Sequence, residues 1–215
     1  MLIMLLLPLR MSRTLSVYKC RTTCIFQACM AATNRDTFQD ELFMQQALQE
    51  ATVAFENGEV PIGAVIVREG VVISSAHNKV EELQDASAHA ELLALRSAAA
   101  ELQGWRLCQC TLYVTIEPCA MCLAAMHAFR IERLVYGAVN PRLGAVESAM
   151  SSLMGPSEHP IHGIKTMGGI LSDSATELMQ SFFRKRRADE PTVNKPALAR
   201  KQTNEWLEGR TRPNP

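Results

Sequence analysis

The chain has 215 residues, of which 47% are hydrophobic and 20% charged, as is typical of a soluble globular protein with one domain of about 150 residues and terminal extensions. No apolar run approaches the roughly 18 residues that cross a bilayer, so the sequence excludes a membrane span. The net charge is zero, and residues 36–183 carry eight basic against eighteen acidic side chains, which argues against a protein that wraps nucleic acid but allows a local RNA contact.

The first 35 residues differ in composition from the rest of the chain. They begin with an apolar run and carry five basic and no acidic side chains, which is typical of an organellar transit peptide; a start codon assigned too early is the alternative. A secretory signal is disfavoured, because no positive charge precedes the apolar run. Seven cysteines without the spacing of a disulfide scaffold indicate a reducing compartment. We expect residues 1–35 to be disordered, and the protein to lie in the cytoplasm or, if they are a transit peptide, in the stroma of a plastid.

The first half of the domain is predicted to contain two helices separated by a hairpin. Gly58 follows a stretch with apolar residues at helical spacing and supplies a C-terminal stop. Asp85 or Ser87 is available as the N-cap of an Ala- and Leu-rich stretch. The sequence predicts a helix over 38–57, a β-hairpin formed by 61–67 and 71–73, and a helix over 88–102.

The second half is predicted to form a βαβ unit and a closing helix. Pro118 suits the first position of a helix, and the segments on either side of that helix have the composition of buried strands. The predicted elements are a strand over 111–116, a helix over 118–129, a strand over 133–137 and a helix over 175–187, with 140–160 unassigned. We expect an α/β domain over 36–187, with three α/β/α layers and a mixed sheet of about five strands, followed by a disordered basic tail over 188–215.

Two short clusters contain the residue types of a metal site. His89 and Glu91 form the first, and Cys119 and Cys122, thirty residues further on, form the second; each lies where a helix is predicted to begin. Cysteines three residues apart share a helix face and can hold one metal ion, with His89 as a third ligand. Three protein ligands leave a position for water, which is the arrangement of a catalytic zinc site.

Glu91 places a carboxylate beside this predicted site. A carboxylate next to zinc-activated water can take its proton, deliver it to a ring nitrogen and later protonate a leaving amine. Cys108, Cys110 or His127 could add a fourth ligand and close the site, but we interpret all three as packing residues. The other histidines are interpreted as ordinary polar or loop residues, namely His77, His159 and His162.

Five stretches within about residues 38–187 carry a family resemblance. They are 59–65, 88–91, 113–122, 130–131 with 135–138, and 169–171 leading to the aromatic and basic run 182–187. In these stretches the chain resembles the bacterial-type tRNA adenosine deaminases, a family with the cytidine deaminase-like fold. Deaminases of free bases share the His-x-Glu and Pro-Cys-x-x-Cys signature, whereas the closing run is similar to the tRNA enzymes.

The resemblance implies a zinc-dependent hydrolase that converts adenosine to inosine at the wobble position of tRNA. By this resemblance one zinc ion per chain would be held by His89, Cys119 and Cys122, and Glu91 would move protons. Asn78 would hydrogen-bond the flipped base. The anticodon loop of the tRNA would be the partner of the closing helix, through Phe183, Arg184, Arg186 and Arg187. The family also implies a homodimer.

The sequence leaves alternatives open. The substrate could be a free nucleobase or nucleoside of the guanine or cytidine type, or the chain could be a non-catalytic RNA-binding partner subunit, although a dead subunit has no need of Glu91. Phe182 and Phe183 could be core residues and the basic run a solvated helix end. Asn140 stands where members of the family usually have Asp, which leaves the substrate contacts near it open.

Overall fold

The computed structural model describes residues 37–151 and 162–189. In chain order these residues form helix α1 (37–56), strands β1 (Gly63–Arg68) and β2 (Val71–His77), helices α2 (Val80–Leu83) and α3 (Ala90–Glu101), strand β3 (Cys110–Ile116), helix α4 (Ala120–Phe129), strands β4 (Arg133–Ala138) and β5 (Lys165–Met167), and helix α5 (Ser172–Asp189). The predicted extension 1–35 and the tail beyond 189 lie outside the described residues. No helix in the described part is long and apolar enough to cross a membrane.

The strands form one mixed sheet in the order β2-β1-β3-β4-β5. The hairpin β1–β2 closes through Glu69 and Gly70, both with positive φ, which matches a two-residue turn that follows the twist of the strands. β1 also pairs antiparallel with β3, whereas β3, β4 and β5 are parallel. The predicted hairpin and the parallel βαβ unit formed by β3, α4 and β4 are both confirmed.

Helices cover both faces of the sheet, so the predicted three-layer arrangement is confirmed. Alternate residues of β1 point to opposite faces: Ala64 and Ile66 pack with α3 and α4, and Val65 and Val67 pack with α1. Helix α5 packs against β3 and β4. The layer with α3 and α4 contains the larger core and brings the N-termini of these two helices close together, which positions the site.

Two helix starts differ from the prediction. Helix α3 begins at Ala90 with His89 as its N-cap, so neither Asp85 nor Ser87 caps it. Instead Asp85 Oδ1 accepts hydrogen bonds from the backbone N and the Oγ of Ser87, because an Asp side chain readily closes such a local turn. Helix α4 begins at Ala120 with Cys119 as its N-cap, so Pro118 precedes the helix and is not its first residue.

Other differences arise where the apolar pattern is weak. Helix α5 begins at Ser172 and runs to Asp189, longer than the predicted 175–187, because its first turn is polar and has no periodic apolar residues. Its last two residues are therefore helical, whereas the sequence predicted that the disordered tail begins at 188. Strand β5 was not predicted, since its three residues are all exposed and show no alternation. The short helix α2 was not predicted either.

Candidate active site

The metal-type side chains lie at the starts of α3 and α4. His89 and Cys119 are the N-caps of these helices, both with extended backbone and without a side-chain hydrogen bond to the helix. Their side chains are thus not used for capping and face each other across the junction of the two helices. Cys122 lies in the first turn of α4 and is buried. The predicted convergence of the two clusters is what the structure shows.

The three donor atoms have the spacing of ligands around one tetrahedral zinc ion. His89 Nδ1 lies 3.8 Å from Cys119 Sγ and 3.5 Å from Cys122 Sγ, and the two sulfur atoms are 3.6 Å apart. Zinc–sulfur bonds of about 2.3 Å and zinc–nitrogen bonds of about 2.0 Å at tetrahedral angles place sulfur atoms about 3.8 Å apart and nitrogen about 3.5 Å from sulfur. His89, Cys119 and Cys122 therefore fit zinc without rearrangement, and they are the metal-type cluster found among the described residues.

The residues that could have closed this site lie elsewhere. Cys108 is exposed, and Cys110 is buried on β3. The His127 ring is hydrogen-bonded through Nδ1 to the backbone oxygen of His162. None of the three belongs to the cluster of metal-type side chains found in the described part of the chain. The described residues thus offer three candidate ligands, which is the number in a catalytic zinc site.

The surroundings favour a thiolate at Cys119. Hydrogen bonding from the side chains of Cys122 and His89 lowers the pKa of Cys119 to about 4. The pKa of Cys122 is raised, because it shares a hydrogen bond with Cys119 and is buried. Zinc binds thiolates, so a zinc ion held by this pair would displace the proton of Cys122.

Glu91 is the buried acid beside these ligands. Its side chain is 3% exposed, and its Oε2 is buried without a hydrogen-bond partner in the structure. Burial raises the pKa of this carboxyl. Buried polar atoms are nearly always hydrogen-bonded, so an unpartnered carboxylate oxygen next to three metal-type donors indicates a position for a ligand such as water.

A cavity of about 560 Å³ opens onto this cluster. His89, Glu91 and Cys119 line it together with Asn78, Phe183 and Arg186. Ligand sites for small molecules are usually clefts of about 300–1,000 Å³ with mostly apolar walls and a few polar groups. The cavity therefore has room for a nucleobase, and the predicted base-binding residue Asn78 lies in its wall.

Two neighbouring aromatic residues of α5 have different surroundings. Phe182 is buried, with its ring edge-on to Phe55 at 5.8 Å, so the interpretation as a core residue holds for it. Phe183 is 43% exposed and lines the cavity with Arg186. Arg184 and Arg187 line an adjoining depression, which also contains Phe183. All four predicted RNA-contacting residues therefore lie at or beside the mouth of the cavity.

One wall of the cavity is a loop held by a buried acid that sequence reasoning missed. Glu117 is 1% exposed, and its Oε2 accepts hydrogen bonds from the backbone N of Asn140 and the hydroxyl of Ser148. Its Oε1 accepts three further bonds, from the backbone N atoms of Val146, Glu147 and Ser148. Asn140 and the three residues that follow it line the cavity. A side chain at Gly144 would overlap this carboxylate, which explains the glycine.

A second buried acid, Glu59, was also missed as a site residue. It is 1% exposed and lines the cavity next to Asn78. Its Oε2 accepts a hydrogen bond from Asn78 Nδ2 at 3.0 Å. The sequence did contain a signal for both acids. Glu59 and Glu117 each lie within a stretch that carries the family resemblance, namely 59–65 and 113–122.

Comparisons with known proteins agree with this geometry. Residues 37–138, which include His89, Glu91, Cys119 and Cys122, match the cytidine and deoxycytidylate deaminase zinc-binding region. A tRNA-specific adenosine deaminase of Aquifex aeolicus is 46% identical over 147 residues, which are 68% of this chain and 95% of that protein. The chain belongs to the family of tRNA-specific adenosine deaminases.

Two further comparisons extend this assignment. A solved structure from work on A-to-I editing by tRNA:A34 deaminases is 45% identical, with a TM-score of 0.60, and the match covers 63% of this chain and 97% of that one. The chloroplastic tRNA(adenine(34)) deaminase of Arabidopsis thaliana is 42% identical over 161 residues, which are 68% of this chain; the chain spans only 12% of the length of that relative. The cytidine deaminase-like fold and the zinc-dependent deaminase class follow from family and structure together.

Proposed function

We propose that the protein hydrolyses adenosine to inosine at the wobble position of tRNA. The observation that carries the proposal is the unpartnered buried oxygen of Glu91, which lies beside three zinc-type donors in a cavity of nucleobase size. Family membership supplies the substrate class, because the relatives named above act on tRNA adenosine.

In this proposal His89, Cys119 and Cys122 hold one zinc ion. When bound, zinc acts as a Lewis acid that lowers the pKa of a coordinated water to about 7. Glu91 accepts one proton from the attacking water and delivers it to the purine ring nitrogen N1, which keeps it in the product. Glu91 then accepts the second proton, from the hydroxyl that the water leaves on C6, and delivers it to the amine that departs as ammonia. Burial raises the pKa of this carboxyl above its ordinary value.

The proposed RNA contacts are made by α5 and by Asn78. Asn78 hydrogen-bonds the flipped base in the cavity. Phe183 is exposed at the cavity mouth and can stack on an unpaired base of the anticodon loop. The arginines around it, Arg184, Arg186 and Arg187, can contact phosphates.

We also propose a homodimer located in a plastid, with the cytoplasm as the alternative compartment. The plastid is supported by the chloroplastic relative and by the basic, acid-free composition of residues 1–35. A fluorescent fusion of the whole chain, compared with a fusion that lacks residues 1–35, tests the compartment. Analytical ultracentrifugation tests the oligomeric state.

The substrate assignment is tested with zinc-loaded protein and two kinds of substrate. One is a tRNA anticodon stem-loop with adenosine at the wobble position, and the other is free adenosine, cytidine or guanine. We expect conversion of the stem-loop, read by sequencing as an adenosine-to-inosine change, and little turnover of the free compounds. Turnover of the free compounds alone would contradict the proposal.

The role of Glu91 is tested on the same stem-loop. Glu91→Ala should lower kcat by at least about 10²- to 10⁴-fold, because the proton transfers lose their donor and acceptor. Zinc content should remain at one ion per chain. Glu101→Ala is the matched control, since Glu101 is exposed at the far end of the same helix. Retained activity in the Glu91 variant would refute the role.

A further inference from the structure

We infer that Glu59 is a positioning residue that makes the cavity selective for a purine with an amino group, by fixing the orientation of the Asn78 side-chain amide. This inference rests on the proposed function, because it assumes that the cavity binds a purine next to Asn78.

Glu59 uses both of its carboxylate oxygens as acceptors. Oε2 accepts from Asn78 Nδ2 at 3.0 Å, and Oε1 accepts from the backbone N of Glu82 at 2.8 Å. The backbone of Glu59 is itself fixed, since its N donates to the oxygen of Ala54 at 2.9 Å. The carboxylate is 1% exposed and cannot turn toward bulk solvent. It therefore holds a fixed position between the end of α1 and the start of α2.

This arrangement decides which end of the Asn78 amide faces the cavity. A carboxylate accepts hydrogen bonds and donates none, so Asn78 must turn its nitrogen toward Glu59. The Asn78 backbone is also fixed, because its N donates to Ile62 oxygen at 3.0 Å. Within the described residues no group donates to Asn78 Oδ1, and Asn78 lines the cavity. Oδ1 is thus available to accept a hydrogen bond from a ligand.

An amide in this fixed orientation distinguishes adenine from its deamination product. Adenine carries a donor at its 6-amino group beside an acceptor at N7, and an asparagine amide matches that pair with its oxygen and nitrogen. Hypoxanthine has a carbonyl oxygen at position 6, so it would place an acceptor against Asn78 Oδ1. Glu59 therefore favours binding of the amino purine and disfavours the product after ammonia has left.

The test is Glu59→Gln in a Glu91→Ala background, which prevents turnover during binding measurements. The Gln oxygen must accept from the Glu82 backbone N, so the Gln amide nitrogen faces Asn78 and forces that amide to flip. The variant should therefore present a donor to position 6 of the base. We measure the Kd of zinc-loaded protein for two anticodon stem-loops, one with adenosine and one with inosine at the wobble position. The ratio of inosine to adenosine Kd should fall by about ten- to a hundredfold in the Gln variant.

A second variant separates this effect from a general loss of structure. In Glu59→Gln combined with Asn78→Asp, the new Asp accepts from the Gln nitrogen and still presents an oxygen to the cavity. The preference for adenosine should return, at least in part, and this variant carries the test if the single one does not fold. Glu56→Gln is the control, because Glu56 is exposed on α1 and should leave the ratio unchanged.

The outcomes distinguish the inference from the proposed function. A Kd ratio that stays within about twofold of the Glu91→Ala parent in the Gln variant would overturn the role of Glu59, as would a double variant that does not recover the preference. Failure of the wild-type protein to convert the adenosine stem-loop would instead overturn the proposed function.

Discussion

Two buried acids on opposite sides of the sheet, Asp40 and Glu91, differ in how completely their carboxylates are hydrogen-bonded. Asp40 lies on α1 and is 2% exposed. Its two oxygens accept from both Arg133 guanidinium nitrogens at 2.7 Å, and Oδ1 also accepts from the Tyr113 hydroxyl at 2.9 Å. Both carboxylate oxygens are hydrogen-bonded, so this cluster ties α1 to β3 and β4.

Glu91 is buried to a similar degree but is incompletely bonded. Its Oε2 has no hydrogen-bond partner, and it faces donors that suit a metal ion. A buried carboxylate without full compensation destabilises the folded state, and such a cost is commonly found at functional sites. The comparison teaches that burial alone does not distinguish these two acids, whereas the unpartnered oxygen beside metal-type donors does.

The largest effect is expected when the metal-type cluster is broken. Cys122→Ser replaces a buried sulfur ligand with a weaker oxygen donor, so zinc should be lost. Loss of an acid–base group typically lowers activity about 10²- to 10⁴-fold. Activity of this variant on the stem-loop should fall further than that, because the activation of water is lost as well. Zinc is measured by mass spectrometry of the purified protein. Cys108→Ser, at an exposed thiol, should keep both zinc and activity.

Substitution of Asp40 should lower the stability of the protein and leave its activity unchanged. Asp40→Asn places an amide against the partly exposed Arg133 guanidinium and removes the charge of its buried partner, which should lower the free energy of unfolding by about 2 kcal/mol. The kcat measured below the unfolding temperature should stay near that of the wild type, since the cluster does not line the catalytic cavity. Urea denaturation gives the stability, and Glu41→Gln at the exposed neighbouring position is the control. A large loss of kcat with an unchanged free energy of unfolding would contradict the interpretation of Asp40 as a stabilising residue.

Glu117 provides an intermediate case with a smaller expected effect. Both of its oxygens are hydrogen-bonded, as in Asp40, but it holds a wall of the cavity beside the metal-type cluster. Glu117→Gln turns one acceptor into a donor, so the loop that begins at Asn140 should shift and raise the KM for the stem-loop about tenfold, with a smaller change in kcat. Zinc content should be retained. Glu132→Gln is the control, because Glu132 is exposed. An unchanged KM in the Glu117 variant would show that the loop keeps its position without the carboxylate.

The sequence predicted the parts of the fold in which apolar periodicity and breaker residues agree. Helix α1, the hairpin around Gly70 and the β3-α4-β4 unit have strong patterns of this kind. Helix α2 and strand β5 have no such pattern, since α2 has no buried residues and β5 is exposed throughout. These two elements depend on contacts with neighbouring segments, and the local sequence pattern carries no information about such contacts.

The candidate site was predicted for a different reason. His89, Cys119 and Cys122 are recognisable because metal ligation requires particular residue types at particular spacings, and Glu91 is recognisable because it stands two residues from His89 in the same signature. Glu59 and Glu117 were missed, since acting through hydrogen bonds to Asn78 or to backbone amides depends on contacts between segments far apart in the chain. The N-cap of α3 and the first residue of α4 were predicted wrongly for a related reason, because His89 and Cys119 are the N-caps and neither makes a side-chain capping bond.

The way in which Glu117 holds its loop bears on how this enzyme class could diversify. Four of its five hydrogen bonds are to main-chain nitrogens, which every residue except proline possesses, so the loop path does not depend on the side chains at most of its positions. Arg142 and Leu143 line the cavity, so they can be exchanged to suit other substrates while the loop keeps its path.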